Sequence, residues 1–201
     1  ARFELLEAIP GRSSLGPLFL GRTLRGGSVT VVGSEHLSVL ADMIHRVRLE
    51  HWAQSVLVDG SVNRLTQIQA LGEVNFAFTA RIDRANFSRV GSRIRNLAAL
   101  AALPLEDDAS NLRLEGIVNS AALAALPAGT NRFSIEDFTK VFLEPGELSR
   151  ALEGFELSVR RRFQLLCIAV TLRDVERDEF LDAVGPGAAA SVLFNPYEVA
   201  C

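Results

Sequence analysis

The sequence predicts an α/β protein built in three layers, with a mainly parallel sheet and helices on both of its faces. Short apolar runs rich in β-branched residues alternate with longer segments of helical periodicity, as in parallel strands joined by right-handed crossovers. Hydrophobic residues make up 48% of the 201 residues and charged residues 22%, which is enough apolar material for a sizeable core. We expect a single domain, 1–201, with a candidate internal boundary at the acidic connection 105–111.

The first half of the chain is predicted to alternate strands and helices. In the longest predicted helix of this half, Phe87, Val90 and Ile94 begin one apolar stripe, and Pro104 ends the helix. Ser34 is the expected N-cap of the other long helix. The predicted strands are 2–9, 28–33, 55–60 and 74–82, and the predicted helices are 34–53, 83–104 and a short one that follows Gly16.

The second half reads as a less regular continuation of the same fold. Pro145 and Gly154 mark the two ends of a brief helix, since proline favours the first turn and glycine the position after the last. The predicted strands are 112–118, a β-rich tract at 132–143, one or two strands within 155–172, and 190–196. The other predicted helices are 120–127 and 173–187.

Charge and cysteine content argue against several classes of protein. The net charge of −3 gives no general electrostatic reason to expect a nucleic-acid partner. The two cysteines cannot form a disulfide framework, which fits a reducing compartment, and we expect a cytoplasmic protein. No apolar stretch reaches the roughly 18 residues of a membrane span, and no signal peptide is expected. The three histidines lack the spacing of metal ligands, so no metal site is predicted.

The first candidate site is the loop "GRSSLG", in which Gly11 and Gly16 are five residues apart as in a phosphate-binding loop. Such a loop needs glycines so that backbone N–H groups can face an anion, with a helix N-terminus behind them. Arg12 would add positive charge, and Ser13 and Ser14 would add hydroxyl donors. The sequence therefore predicts an anion or nucleotide site, if a helix follows the loop.

The residues after the second glycine argue against nucleotide hydrolysis. Pro17 stands where the lysine of a phosphate loop is expected, and Leu18 replaces the hydroxyl that would hold magnesium. A tight glycine turn, with Pro17 as the first residue of a helix, is the open alternative. Binding of a nucleotide is therefore the only cofactor expectation, and it does not include catalysis.

The second candidate site is the end of the predicted strand in "SVLVDGSVNR". Asp59 would lie at the carboxyl edge of a parallel sheet, where ligands of open α/β sheets bind. Asn63 and Arg64 follow in a polar turn, and the planar guanidinium of Arg64 suits a carboxylate or phosphate. Alternatively, Asp59 caps the following turn through its own backbone. We expect this segment and Gly11 to face one crevice.

These motifs resemble a known family. Asp59-Gly60 followed by Asn63-Arg64, together with "IPGRSSLGPLFLGR", is similar to the small subunit of the reactivating factor of lysine 5,6-aminomutase and its relatives. The resemblance covers about the first hundred residues. It implies a degenerate phosphate-loop-like domain and a cytoplasmic accessory protein, linked to a nucleotide, that helps a cobalamin-dependent aminomutase recover from inactivation. Its expected partner is the aminomutase or a second reactivating subunit.

Three hypotheses of function follow. The first is a non-catalytic or weakly nucleotide-linked accessory protein that acts through protein contacts. The second is a small-molecule enzyme in which Asp59 is the acid or base and Arg64 binds an anion. The third is a structural subunit of a homo-oligomer, such as a homodimer, assembled through an apolar edge formed by Phe133, Phe138 and Phe142.

Overall fold

The computed structural model describes residues 2–13, 15–30, 33, 36–59, 75–107 and 112–194. The chain divides into two compact units, Ala1–Gly72 and Glu73–Cys201. The sequence analysis expected one domain with a candidate boundary near 105–111. The beginning of that segment instead lies inside the second unit, because Leu105 forms a parallel bridge with Val159.

The first unit contains an antiparallel hairpin and one helix. Strand β1 is Phe3–Ser13, strand β2 is Gly16–Thr23, and helix α1 is Leu37–Leu49. α1 lies within the predicted helix 34–53, packs against β1 and buries Ile44. A two-stranded hairpin alone is at best marginally stable in water, so the helix on one of its faces supplies the packing that it needs.

The phosphate-loop-like arrangement predicted for the first half differs from the observed structure. The short helix expected after Gly16 is wrong, because this segment pairs with β1 as strand β2. The strand expected at 55–60 is also wrong over its described part, where residues 55–59 are irregular and Leu57 is 96% exposed. Residues 28–30 form no strand either, and most of the remainder of that predicted strand lies outside the described residues.

The second unit alternates strands and helices along the chain. A 3-10 turn at Phe138–Lys140 follows the third of its strands. In chain order the elements are β3 Asn75–Ile82, α2 Phe87–Ala101, β4 Leu112–Leu114, α3 Ser120–Ala124, β5 Arg132–Ile135, α4 Pro145–Gly154, β6 Glu156–Val159, β7 Gln164–Leu172, α5 Arg177–Val184, α6 Pro186–Ala189 and β8 Val192–Phe194.

All strand pairs of the second unit are parallel within the described residues, which confirms the predicted α/β class. They form two three-stranded sheets, one in the order β3-β7-β8 and one in the order β4-β5-β6. Parallel neighbours need a crossover connection, and helices supply most of these connections here. The predicted helix 83–104 and strand 74–82 are confirmed as α2 and β3.

The sheet β3-β7-β8 is covered by helices on one face. Phe78, Ile82 and Ile168 are buried on that face, against which α2 packs, and α5 and α6 pack against α2. On the opposite face of β3, Thr79 and Arg81 are exposed. The expectation of helices on both faces is therefore not met for this sheet within the described residues.

The sheet β4-β5-β6 has one apolar face and one polar face. Phe133 pairs with Leu157 and Ile135 with Val159, and these four side chains are buried. Phe138, beyond the end of β5, is also buried. The predicted apolar edge for oligomer assembly is thus wrong for Phe133 and Phe138, which belong to the core of this unit. Of the three predicted phenylalanines, Phe142 alone is exposed, at 54%.

Candidate functional site

The predicted phosphate loop is the tip of the β1–β2 hairpin. Ser13 pairs with Gly16, so the loop between the strands contains two residues, Ser14 and Leu15, of which Ser14 lies outside the described residues. The Ser13 hydroxyl accepts a hydrogen bond from the Leu15 N–H at 3.2 Å and donates one to the Gly16 carbonyl at 3.3 Å. This serine therefore stabilises the turn itself.

The two glycines of the motif have backbone angles that explain their presence. Gly11 has φ of +128° and Gly16 has φ of +123°, a region that side chains with a Cβ rarely adopt. A Cβ on Gly11 would lie 3.5 Å from Cγ2 of Val39 in α1, an ordinary van der Waals distance, so the backbone angle is what requires glycine there. Pro17 is compatible with its position in β2, because proline is tolerated on an edge strand and both strands of a two-stranded sheet are edge strands. The glycine spacing therefore follows from hairpin geometry.

Replacing Gly11 with alanine is expected to destabilise the first unit by roughly 1–3 kcal/mol, because the backbone must keep a conformation that alanine disfavours. The midpoint of urea denaturation, followed by fluorescence of Trp52, measures the change, since this is the only tryptophan of the chain. Gly26→Ala is the matched control, because a Cβ there meets open space and its φ is not positive. Equal effects of the two substitutions would contradict the assignment.

The anion-binding prediction for this loop depended on a helix after Gly16, and that helix does not form. No helix follows Gly16, because the segment after this glycine is strand β2. Arg12 is exposed, and it is the only charged residue of the motif. Anion or nucleotide binding at Gly11, Arg12, Ser13 and Gly16 stays a prediction, and its support is now the charge of Arg12.

The second predicted site is only partly within the described residues. Asp59 is exposed and ends an irregular segment, so it does not follow a buried strand as expected. Asn63 and Arg64 lie outside the described residues. The predicted convergence of Asp59 and Arg64 with Gly11, and the enzyme hypothesis built on it, therefore stay predictions.

The two faces of the hairpin differ sharply in character. One face packs on α1: Leu18 is buried, and Glu7 forms an ion pair with Arg46 of the helix. The strand register places Phe3 and Leu5 on the opposite face together with Phe19, because β1 has an irregularity between Leu5 and Glu7. These three side chains are 49%, 69% and 54% exposed, respectively. The hairpin thus presents an apolar face, which we call the Phe3/Leu5/Phe19 face.

Sequence reasoning missed this face because it assigned a helix to residues that form β2. If residues 17–20 formed a helix, Phe19 would not pair with β1. The sequence then gives no reason to place Phe19 on the same face as Phe3 and Leu5. The signal that was available is a short loop containing serine and flanked by glycines, between two apolar runs. A hairpin would have been the better prediction from that pattern.

A cluster of polar side chains lies on the polar face of the sheet β4-β5-β6. Arg113, Ser134 and Ser158 are paired across this sheet, so they share that face. Oε1 of Glu106 accepts hydrogen bonds from Arg113 Nε and from the Ser134 hydroxyl, both at 2.9 Å. Ser134 is fully buried, and the Glu106 side chain is 12% exposed. Glu106 belongs to the acidic segment 105–111, which the sequence predicts to be a connection, and these two hydrogen bonds attach it to the sheet.

The ionisation of Glu106 is coupled to this cluster. The hydrogen bond from Arg113 holds the pKa of Glu106 below its ordinary value, and the Ser134 donor and the charge of Arg160 act in the same direction. Burial opposes these effects, since it disfavours the charged form. The folded protein therefore favours the ionised form of the Glu106 carboxylate over the protonated form.

Arginines in and around the polar cluster are paired with carboxylates, as expected of a structural network and not of a site that binds an anion. Arg160 pairs with Glu115 at 3.0 Å, and Arg161 pairs with Glu136. Positive groups at this end of the sheet thus have carboxylates beside them. We therefore assign this cluster to the stability of the sheet.

Comparison with protein-family models, with curated proteins and with solved structures found no significant match to this chain. None of the helices in the described part of the chain is both long and apolar enough to cross a membrane.

Proposed function

We propose that this chain is a cytoplasmic, non-catalytic accessory protein that acts by docking a partner protein on the Phe3/Leu5/Phe19 face. The observation that carries the proposal is the exposure of two aromatic side chains and one leucine on a single face of a hairpin. Contiguous apolar patches of this kind mark interaction sites on soluble proteins.

The face is held in place before any partner arrives. α1 covers the opposite side of the hairpin, and the ion pair between Glu7 and Arg46 fixes the helix to β1. In the part of the chain that the structure describes, neither strand of the hairpin has a second neighbouring strand, so a partner strand can pair with its outer edge. Preformed geometry favours binding because less conformational freedom is lost on association.

The size of the face argues for a transient partner and against a stable homodimer. Phe3, Leu5 and Phe19 are each about half exposed or more, which corresponds to roughly 300 Å² of apolar surface. A stable interface buries about 800 Å² on each partner. The occupant that we propose is therefore a different protein with a complementary apolar patch, bound reversibly. A cobalamin-dependent aminomutase, the partner implied by the sequence resemblance, is the first to test.

Replacing Phe19 with aspartate is expected to weaken binding to the purified aminomutase on the order of ten- to a hundred-fold. The reason is that a charge would have to be buried at the centre of the apolar contact, where aromatic residues usually contribute most. Isothermal titration calorimetry with the full chain measures the dissociation constant. Trp52 fluorescence and thermal unfolding check that the variant keeps its fold.

Phe142→Asp is the matched control, because Phe142 has the same exposed fraction of 54% and lies in the second unit. Equal loss of affinity in the two variants would contradict the assignment of the docking face. Absence of binding by the unaltered chain would remove the aminomutase as the partner. Self-association that Phe19→Asp abolishes, measured by sedimentation velocity, would replace the proposed partner by a second copy.

A further inference from the structure

An open cleft of about 560 Å³ lies in the second unit, where three elements meet. Ala98 and Ala101 of α2 form one side, the start of β7 forms another, and Gly187 of α6 and Ser191 border the third. This volume is within the range of small-molecule sites, about 300–1,000 Å³. The cleft is remote in sequence from every residue used in the proposed function, so its role can be judged separately.

Small residues leave the space of the cleft open. Ala98, Ala101 and Ala102 are the last residues of α2 and its C-cap, and they present methyl groups toward the cleft. Gly187 adds no side chain on the opposite side. A larger side chain at any of these positions would occupy the volume. The lining therefore offers a narrow apolar surface to the body of a ligand.

Arg162 supplies the charge of the cleft and is held in a fixed orientation. Its Nε and Nη2 groups donate hydrogen bonds to the Leu103 carbonyl at 3.3 and 3.1 Å. Within the described residues, Nη1 makes no hydrogen bond and no carboxylate forms an ion pair with this guanidinium. Among the described residues that line the cleft, no other is charged. An oriented guanidinium loses little freedom on binding an anion.

Two polar side chains also line the cleft, beside the apolar Phe163 and Leu165. Gln164 begins β7 and is exposed, and Ser191 lies directly before β8. The backbone of Ser191 is engaged in the sheet, since its carbonyl accepts a hydrogen bond from the Ile168 N–H at 2.7 Å. The backbone of Ser191 is therefore held in position beside the cleft. An amide and a hydroxyl can each donate to or accept from a polar group of a ligand.

We propose that this cleft binds a small organic monocarboxylate. Arg162 takes the carboxylate through Nη1, Gln164 and Ser191 bind its polar substituents, and the apolar body of the ligand lies on Ala98 and Ala101. A single guanidinium matches a single negative charge, and its planar donors match the geometry of a carboxylate. A dianionic phosphate would leave one charge without a partner in this lining.

Titration of the ¹⁵N-labelled full chain with benzoate tests the proposal. We expect backbone amide shifts at Ala98, Ala101 and Ser191, and a change in the Nε–H signal of Arg162. Benzamide, which has the same shape without the charge, is expected to cause much smaller shifts. Arg162→Gln is expected to weaken benzoate binding at least tenfold, whereas Arg89→Gln, at an exposed position of α2 outside the cleft lining, should leave it unchanged.

A second variant keeps the test informative if Arg162→Gln fails to fold. Ala101→Leu fills the cleft with a side chain that helices accept well, so it should abolish the benzoate shifts while the spectrum stays folded. Shifts that persist in both variants would overturn the proposal, as would shifts elsewhere in the chain. Equal shifts with inorganic phosphate would overturn the assignment to a carboxylate with an apolar body.

Discussion

Replacing Phe180 with alanine is expected to destabilise the second unit by about 3–5 kcal/mol, the range for a buried aromatic truncated to alanine. Phe180 is fully buried in α5, and its ring meets that of Phe194 in β8 edge to face, with centroids 6.0 Å apart. The substitution removes this contact and leaves a cavity between α5 and the sheet. Because small domains unfold with only 5–15 kcal/mol, the loss is a large part of the total.

Urea denaturation followed by far-UV circular dichroism measures this loss. The matched control is Phe142→Ala, which removes the same atoms from a side chain that is 54% exposed and should cost clearly less, about 1–2 kcal/mol, because only about half of its surface leaves water on folding. A loss for Phe180→Ala as small as that for the control would show that the β8 end of the sheet does not pack on α5 as described.

Locally encoded elements are the ones that the sequence predicted well. α2 and α4 follow from apolar spacing and from the proline and glycine at their ends, and β3 follows from alternation of apolar with polar residues. Each of these signals is contained in the residues of the element itself. They could therefore be read without knowledge of the rest of the chain.

The elements that the sequence missed depend on distant residues. β2 exists because it pairs with β1, and the glycines that suggested a phosphate loop serve the positive φ angles of that hairpin. Asp59 was placed at the end of a strand that does not form in the described residues. In the hairpin a local motif had two structural interpretations, and the pairing of β2 with β1 decided between them.

The polar cluster at Glu106, the cleft at Arg162 and the hairpin face could not be predicted from local sequence patterns either. Glu106 was part of an acidic stretch read as a connection, yet its carboxylate reaches Ser134, which is 28 residues away, across the sheet. The cleft at Arg162 is formed by residues from α2, β7 and α6, whose approach only the fold determines. The Phe3/Leu5/Phe19 face required the register of the hairpin, including its irregularity.

Replacing Glu106 with glutamine is expected to flatten the dependence of the stability of the second unit on pH in the acid range. The pKa of Glu106 is lowered in the folded protein, mainly by the hydrogen bond from Arg113. Its contribution is therefore fully present above the pKa of the unfolded chain and is lost as the pH falls through the lower, folded-state pKa. Glutamine keeps an acceptor oxygen near Ser134 but removes the charge.

Urea denaturation at a series of pH values from neutral to strongly acidic compares the two proteins. The unaltered chain should be more stable at neutral pH, and the two curves should approach each other as the carboxylate becomes protonated. Glu156→Gln is the control, because Glu156 forms an ion pair with Arg132 but is 77% exposed, and exposed pairs contribute little. A constant offset between Glu106→Gln and the unaltered chain at every pH would assign the effect to packing, because only loss of an ionised group makes the difference depend on pH.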